Sequence, residues 1–341
     1  MVSMYELVSL LWNSFKSNFI DLKYPYKLTI AVTYHCNARC KMCDIWKRKS
    51  KGEMRKDEWV EFFSKNRIPW INLTGGEPFL RNDLIDIVKS MKDIYLLNTT
   101  TNGFLTERIV SYSLEMKRFV KRYIITVSID GPEKLHNYLR GIDVWQKAVN
   151  TFKLLRENGV ESYIGYTITP FNVGMLKETY KSLKRIIPWL KYQDFHLNFY
   201  HESEVYYDNK GSLNINEDFY KLLIRDIKFI KSKKIGITPV MFLEHIYLSL
   251  VRKYLKTRKS PLPCKSLSSS CFIDSYGNVY PCTIFGIKIG NLRESDFNLR
   301  KIFSSSKARV IRQMIKSNKC PGCWTPCEAY QTILGNILRI L

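Results

Sequence analysis

Lys27-Leu-Thr-Ile-Ala-Val-Thr-Tyr34 runs straight into His35-Cys36-Asn-Ala-Arg-Cys40-Lys-Met-Cys43, and the reading of the whole chain turns on this stretch. Apolar and β-branched residues alternate from Lys27 to Tyr34, the pattern of a buried strand. A basic loop, His35 to Gly52, follows and carries three cysteines. Thiolates at these spacings can wrap one loop around a single cubane cluster. A [4Fe–4S] cluster normally takes four thiolates, so three leave one iron open for a small chelating ligand. A structural zinc site prefers paired hooks with all four positions filled. This loop offers three, and His35, adjacent to Cys36, is poorly placed to be the fourth.

Outward from this loop the sequence alternates. Predicted helices at Met54–Asn66, Asp83–Lys92, Thr106–Phe119, Val144–Asn158 and Val173–Ile187 are each followed by a predicted strand: Trp70–Thr74, Tyr95–Thr101, Tyr123–Ser128, Tyr163–Thr169 and Phe195–Tyr200. Six strands with helices between them read as a parallel α/β sheet or barrel. A polar insertion, His201 to Asn216, interrupts the pattern, and helices are predicted at Glu217–Lys231 and Met241–Lys256. The basic stretch Lys256–Ser270 marks a boundary before a segment with six cysteines. The expected organisation is an amphipathic helical segment over 1–26, an α/β core over 27–215, a helical connection over 216–260 and a cysteine-rich domain over 261–341.

With 341 residues, 45% of them hydrophobic, the chain can bury one large core and a smaller satellite. Lys and Arg number 54 against 31 Asp and Glu, a net charge of +23 that favours anionic partners without choosing among them. Nine clustered cysteines point to metal ligation in a reducing compartment. No secretory leader and no bilayer-spanning run is read, so a cytoplasmic location is expected, free or peripheral on a membrane face.

Four further motifs close successive strands: Thr74-Gly75-Gly76-Glu77-Pro78, Thr100-Thr101-Asn102-Gly103, Ser128-Ile129-Asp130-Gly131 and, just after, His136-Asn-Tyr-Leu-Arg140-Gly. Parallel α/β folds build their sites at such carboxyl ends. With the CxxxCxxC loop these motifs resemble, in order and spacing, those of the radical S-adenosylmethionine (SAM) superfamily, over Lys27 to about Tyr200. The resemblance implies a partial (β/α)6 parallel barrel. It implies a [4Fe–4S] cluster held by Cys36, Cys40 and Cys43, whose open iron is chelated by the amino and carboxylate groups of SAM. Gly75, Gly76 and Glu77 would approach the SAM amino group, Arg140 its carboxylate and Ser128 a polar group. Met42 would sit near the adenine, and Thr101, Asn102 and Asp130 complete the expected cofactor contacts. An electron donor such as ferredoxin or flavodoxin is the implied partner. The implied chemistry is one-electron cleavage of SAM to a 5′-deoxyadenosyl radical that takes hydrogen from an unactivated C–H bond.

The last six cysteines, Cys264, Cys271, Cys282, Cys320, Cys323 and Cys327, are spaced C-x6-C-x10-C and C-x2-C-x3-C. With Asp274-Ser-Tyr-Gly277-Asn-Val-Tyr-Pro-Cys282 between them, they resemble the SPASM or twitch extension, which holds auxiliary [4Fe–4S] clusters. Six thiols suffice for one complete cluster, with Cys264 or Cys327 as a spare. Two incompletely ligated clusters and a zinc ribbon stay open. Thr283 stands where sulfatase-maturing relatives carry an acidic residue, which disfavours that specific activity.

Three substrate classes follow. A peptide or protein is the commonest for SPASM-bearing relatives. A membrane lipid or its precursor is suggested by amphipathic segments at both ends: Met4, Leu7, Val8, Leu11, Trp12, Phe15 and Phe19 on one face, with Ser9, Asn13, Lys16 and Ser17 opposite. At the other end, Tyr330, Ile333, Leu334, Ile337, Leu338 and Leu341 form the apolar face, with Gln331, Thr332 and Arg339 opposite. Nucleic acid is disfavoured, since no basic run is interleaved with aromatics. A non-catalytic iron–sulfur or zinc module has no need of the Glu77, Ser128 and Arg140 set.

Overall fold

The computed structural model describes residues 5–340 except 214, 235 and 237. Helix α1 (Tyr5–Lys16) precedes β1 (Lys27–Thr33), and strand and helix then alternate. The series runs α2 (Lys56–Lys65), β2 (Trp70–Gly75), α3 (Leu84–Ser90), β3 (Leu96–Thr101), α4 (Thr106–Met116) and β4 (Arg122–Ser128). It continues with α5 (Glu133–Arg140), α6 (Trp145–Glu157), β5 (Glu161–Ile168), α7 (Leu176–Ile186) and β6 (Phe195–Phe199). Beyond lie α8 (Glu217–Lys233), α9 (Pro239–Thr257), the short strands β7 (Ser270–Ile273), β8 (Asn278–Tyr280) and β9 (Gly290–Asn291), and α10 (Leu299–Ser304), α11 (Ser306–Lys316) and α12 (Pro326–Leu334).

The strands form one sheet in the order β6-β5-β4-β3-β2-β1-β7-β8-β9. β1 to β6 pair in parallel, as the alternation with helices requires. β1 is buried at all seven positions, a central strand covered on both faces. β3 and β6 instead alternate: Leu97 and Thr99, or Leu197 and Phe199, are buried, while Asn98 and Thr100, or His196 and Asn198, are half-buried and line a cavity inside the curved sheet. Ile109 and Met116 of α4 and Ala148, Phe152 and Leu155 of α6 belong to the buried apolar core.

Three features were not read from the sequence. The cysteine-rich segment joins the core sheet, because β7 adds to β1 in parallel and the β8–β9 hairpin prolongs the same sheet. Helix α5 was not foreseen; it is only eight residues long, yet Pro132 precedes it and Gly141 ends it at φ 64, the usual boundary residues. The C-terminal amphipathic face does not form: α12 stops at Leu334, Leu341 lies outside the described residues, and Gln331 and Thr332 are buried. Their polar groups are needed inside. Gln331 accepts from the buried ammonium of Lys27 at 2.7 Å and donates to Ser270 and Glu328, and the Thr332 hydroxyl accepts from Lys265 N at 3.3 Å.

Helix α1 also docks differently from its pattern. Leu10, Ser14 and Ser17 are buried, whereas Leu11 (59% exposed), Trp12 (57%) and Phe15 (48%) face outward. Met4 lies outside the described residues. The small serines permit close approach to Gly335, and Asn18 donates to the Leu334 carbonyl at 3.0 Å.

Candidate functional site

The three cysteines of the first loop lie at one end of a cavity of about 510 Å³ inside the curved sheet. Their loop is held from both sides. Arg39 N and Lys41 N donate to the carbonyls of Arg140 and Leu139 at the end of α5, at 2.9 and 2.8 Å, and Asn209 Nδ2 donates to the Met42 carbonyl at 2.9 Å. Gly141 makes the first contact possible, since a Cβ there would stand 2.4 Å from the Arg39 carbonyl oxygen. Glu53, which the sequence did not single out, accepts from Thr33 Oγ1 at 2.8 Å and Tyr34 N at 2.5 Å and fixes the end of β1. Burial pushes the Cys36 thiol up to about 12 and raises Cys40 and Cys43 as well. Thiolates in so dry a place need a cationic partner, which iron would supply.

Gly75 and Gly76 complete a cradle beside this loop. A Cβ at either would fall within about 2 Å of the Thr33 or His35 carbonyl oxygen, at 2.1 and 2.2 Å. Glu77 is buried and accepts from Thr101 Oγ1 at 2.9 Å, Asn102 N at 2.7 Å and Phe79 N at 3.3 Å. Burial raises its carboxyl to about 7. A carboxylate offers about four acceptor sites, so one is left for a further donor. Ser128, Thr101, Asn102, Met42 and Arg140 all line the cavity. Asp130 does not: it is fully buried, pairs with Arg140 and accepts from Thr167 N at 2.8 Å. Its carboxylate therefore holds Arg140 in place from behind the cavity wall. Arg140 also donates to Cys40 Sγ at 3.8 Å, and its Nε is buried without a partner among the described residues. An unpaired guanidinium nitrogen beside a glycine cradle and three half-buried thiols suits an anionic ligand next to a metal cluster.

Several cavity residues escaped the sequence reading. The polar insertion after β6 crosses the open side of the barrel, where Tyr206 OH bonds Thr74 Oγ1 at 2.8 Å and Asn198 Nδ2 donates to Tyr207 OH at 3.4 Å. Nothing periodic marks these tyrosines. Asn72, Asn98, Thr126, His196 and Asn198 do carry a signal, as polar residues at alternate positions of otherwise apolar strands.

The C-terminal thiols divide. Cys323 is a hydrogen-bond neighbour of Cys282, and Cys264 feels the charge of Cys282 and Cys320. These four could hold one cluster. Cys271 stands apart: it is in β7, opposite Leu28 of β1, buried in the apolar core, with Glu328 the charge acting on it. Cys327 lines the barrel cavity near Lys27. Among the described residues no group of three or more His, Cys, Asp and Glu side chains converges on a single-ion position.

Residues 30–190 match the Radical SAM superfamily and residues 264–328 the SPASM iron–sulfur cluster-binding domain. An "AdoMet-dependent heme synthase" of Nitratidesulfovibrio vulgaris is 25% identical over 335 residues, covering 89% of this chain and 84% of that protein. A "Probable GTP 3',8-cyclase" of Archaeoglobus fulgidus is 31% identical over 154 residues, covering 44% of this chain; the chain spans 48% of that relative's length. The fold is similar to that of Streptococcus suis SuiB bound to S-adenosylmethionine, with TM-score 0.62 and 17% identity, over 91% of this chain and 71% of that one. The chain is therefore a radical SAM enzyme. Within that class it belongs with the members that carry a SPASM domain, and its cofactors are SAM, a [4Fe–4S] cluster and auxiliary iron–sulfur.

Proposed function

We propose that the protein abstracts hydrogen from a C–H bond of a substrate lying in the barrel cavity, with SAM at the carboxyl ends of β1 to β5. Cys36, Cys40 and Cys43 hold the SAM-binding cluster, and Cys264, Cys282, Cys320 and Cys323 hold one auxiliary cluster. When bound and reduced, the first cluster supplies the electron that cleaves SAM to methionine and a 5′-deoxyadenosyl radical. The chain's own residues bind and orient: Arg140, fixed by Asp130, takes the SAM carboxylate, Glu77 accepts from the amino group, and Gly75 and Gly76 let the backbone come close. Tyr206 and Tyr207 close the open side against water. The observation that carries this reading is the meeting of three half-buried thiols, an Arg140 Nε without a partner among the described residues and the glycine cradle at one end of a single cavity.

An external one-electron donor such as ferredoxin or flavodoxin completes the reaction. The substrate is a peptide, a protein side chain or a small molecule. SuiB, similar in fold, has also been solved bound to the precursor peptide SuiA, and the heme synthase relative supports a small molecule. The test is to incubate reduced, reconstituted enzyme with SAM and a deuterated cell extract. Deuterium should appear in 5′-deoxyadenosine; deoxyadenosine formed in quantity without deuterium would refute abstraction from a substrate.

A second reading, of location, rests on α1. Among the described residues no helix is long and apolar enough to cross a membrane. The outward side chains of Leu11, Trp12, Phe15 and Phe19, with Lys16 over the Trp12 ring, nevertheless suit a peripheral contact with an anionic bilayer. Co-flotation with phosphatidylglycerol vesicles, lost in a Trp12→Ser/Phe15→Ser/Phe19→Ser variant, is expected. Protein left at the bottom of a low-salt gradient would remove this reading.

A further inference from the structure

The cavity does not end at the cluster loop. It follows inward positions two residues apart, Trp70, Asn72 and Thr74 on β2 and Arg122, Ile124, Thr126 and Ser128 on β4. The seven residues of β4 span about 20 Å at a rise of about 3.3 Å each. Its lower end, where the strands begin, is walled by Leu7 and Leu10 of α1, Leu96 of β3, Leu243 of α9 and Leu334 of α12. Leu11 lines the same cavity while more than half exposed, so the lower end opens to the surface beside α1.

A buried polar atom in this lower half has no partner among the described residues. His196 lines the cavity, yet its Nε2 is buried with no hydrogen bond among the described residues. The ring stacks on Tyr163, with centroids 3.9 Å apart. Its polar neighbours are satisfied: Tyr163 OH donates to Glu161 at 2.9 Å, and Glu161 takes two bonds from Arg122, at 2.8 and 2.6 Å. Buried polar atoms are normally paired, so a residue of the cavity wall with an unused ring nitrogen keeps hydrogen-bonding capacity for a ligand that packs against it. Burial lowers the imidazole to about 4, so at neutral pH it is uncharged and matches a hydroxyl or carbonyl rather than an anion.

We infer that the lower half of the barrel binds the apolar end of an elongated amphipathic substrate, with His196 meeting a hydroxyl or carbonyl group on it. This rests on the radical reading above, because the other end of such a molecule reaches the cluster loop. Leucine walls with a few neutral polar contacts, His196 among them, and the Arg122 charge paired with Glu161 are what a long-chain alcohol or lipid precursor needs. A peptide backbone would leave many amide groups facing leucines.

The test uses 12-bromododecan-1-ol, whose bromine quenches nearby tryptophan fluorescence, on the full-length reconstituted protein. Saturable quenching is expected, lost on Trp70→Phe and kept on Trp46→Phe, which alters the upper end, and on Trp12→Ser, which alters the exposed face. His196→Phe should weaken binding at least fivefold. Leu11→Asp, an exposed change at the mouth, should do so about tenfold even where Trp70→Phe fails to fold. Quenching that never saturates, that follows Trp12 or Trp46, or that ignores both His196 and Leu11 would overturn the inference. Deoxyadenosine formation from SAM alone, measured in the same preparations, reports on the radical reading separately. Cleavage without probe binding sinks only the lower site, and probe binding without cleavage sinks the radical reading.

Discussion

Glu77 carries the sharpest residue-level consequence. Its carboxyl is held near 7 by burial, and as a carboxylate it is the better acceptor for the SAM amino group. Binding then favours loss of its proton, so SAM affinity should fall as pH drops through about 7, by up to tenfold per unit below it. Glu77→Gln should bind SAM more weakly at pH 8 and lose that slope; equilibrium dialysis of reconstituted protein between pH 6 and 8 checks both. Among the C-terminal cysteines, Cys282→Ala or Cys323→Ala is expected to lose about four irons, the content of one cubane, while Cys271→Ala and Cys327→Ala keep them. Iron analysis of the four single variants decides the ligand set. The sequence could not, because six cysteines permit several quartets, and which thiols meet depends on β7 pairing with β1.

At the scale of elements, the half barrel was legible and its fastenings were not. Strand β1 announces itself through KLTIAVT, and the helix–strand alternation fixes parallel pairing because only crossover connections fit it. Helix α5 stayed hidden because eight residues hold little periodicity, although its carboxyl end carries Arg140 and clamps the cluster loop. Gly141 is the hinge of that clamp. Gly141→Ala forces a Cβ toward the Arg39 carbonyl and an L-residue into a left-handed backbone, which alone costs roughly 1–2 kcal/mol. The expected outcome is a lower denaturation midpoint together with slower reconstitution of the SAM-binding cluster. An unchanged midpoint would mean that α5 and the loop part freely. How helix α1 seats was not legible in its apolar stripe: Ser14 and Ser17 turn inward, with Ser17 against Gly335, and Leu11, Trp12, Phe15 and Phe19 stay outward.

Across the whole molecule, two sets of thiols are fastened to one sheet, Cys36 to Cys43 after β1 and the four proposed auxiliary ligands around β7, β8 and α12. Because β1 and β7 are hydrogen-bonded neighbours, the auxiliary region is joined to the barrel and both clusters should be present in one folded unit. Full reconstitution is expected to give about eight irons, four per cubane. The central claim is that Cys36, Cys40 and Cys43 hold the cluster that cleaves SAM, and one measurement addresses it most directly. Reduced wild-type protein and the Cys36→Ala/Cys40→Ala/Cys43→Ala variant are each incubated with SAM, and 5′-deoxyadenosine and protein-bound iron are measured together. The expected result is deoxyadenosine from the wild type alone, with about four irons retained in the variant. Deoxyadenosine from the triple variant, at a rate comparable with wild type, would contradict the account.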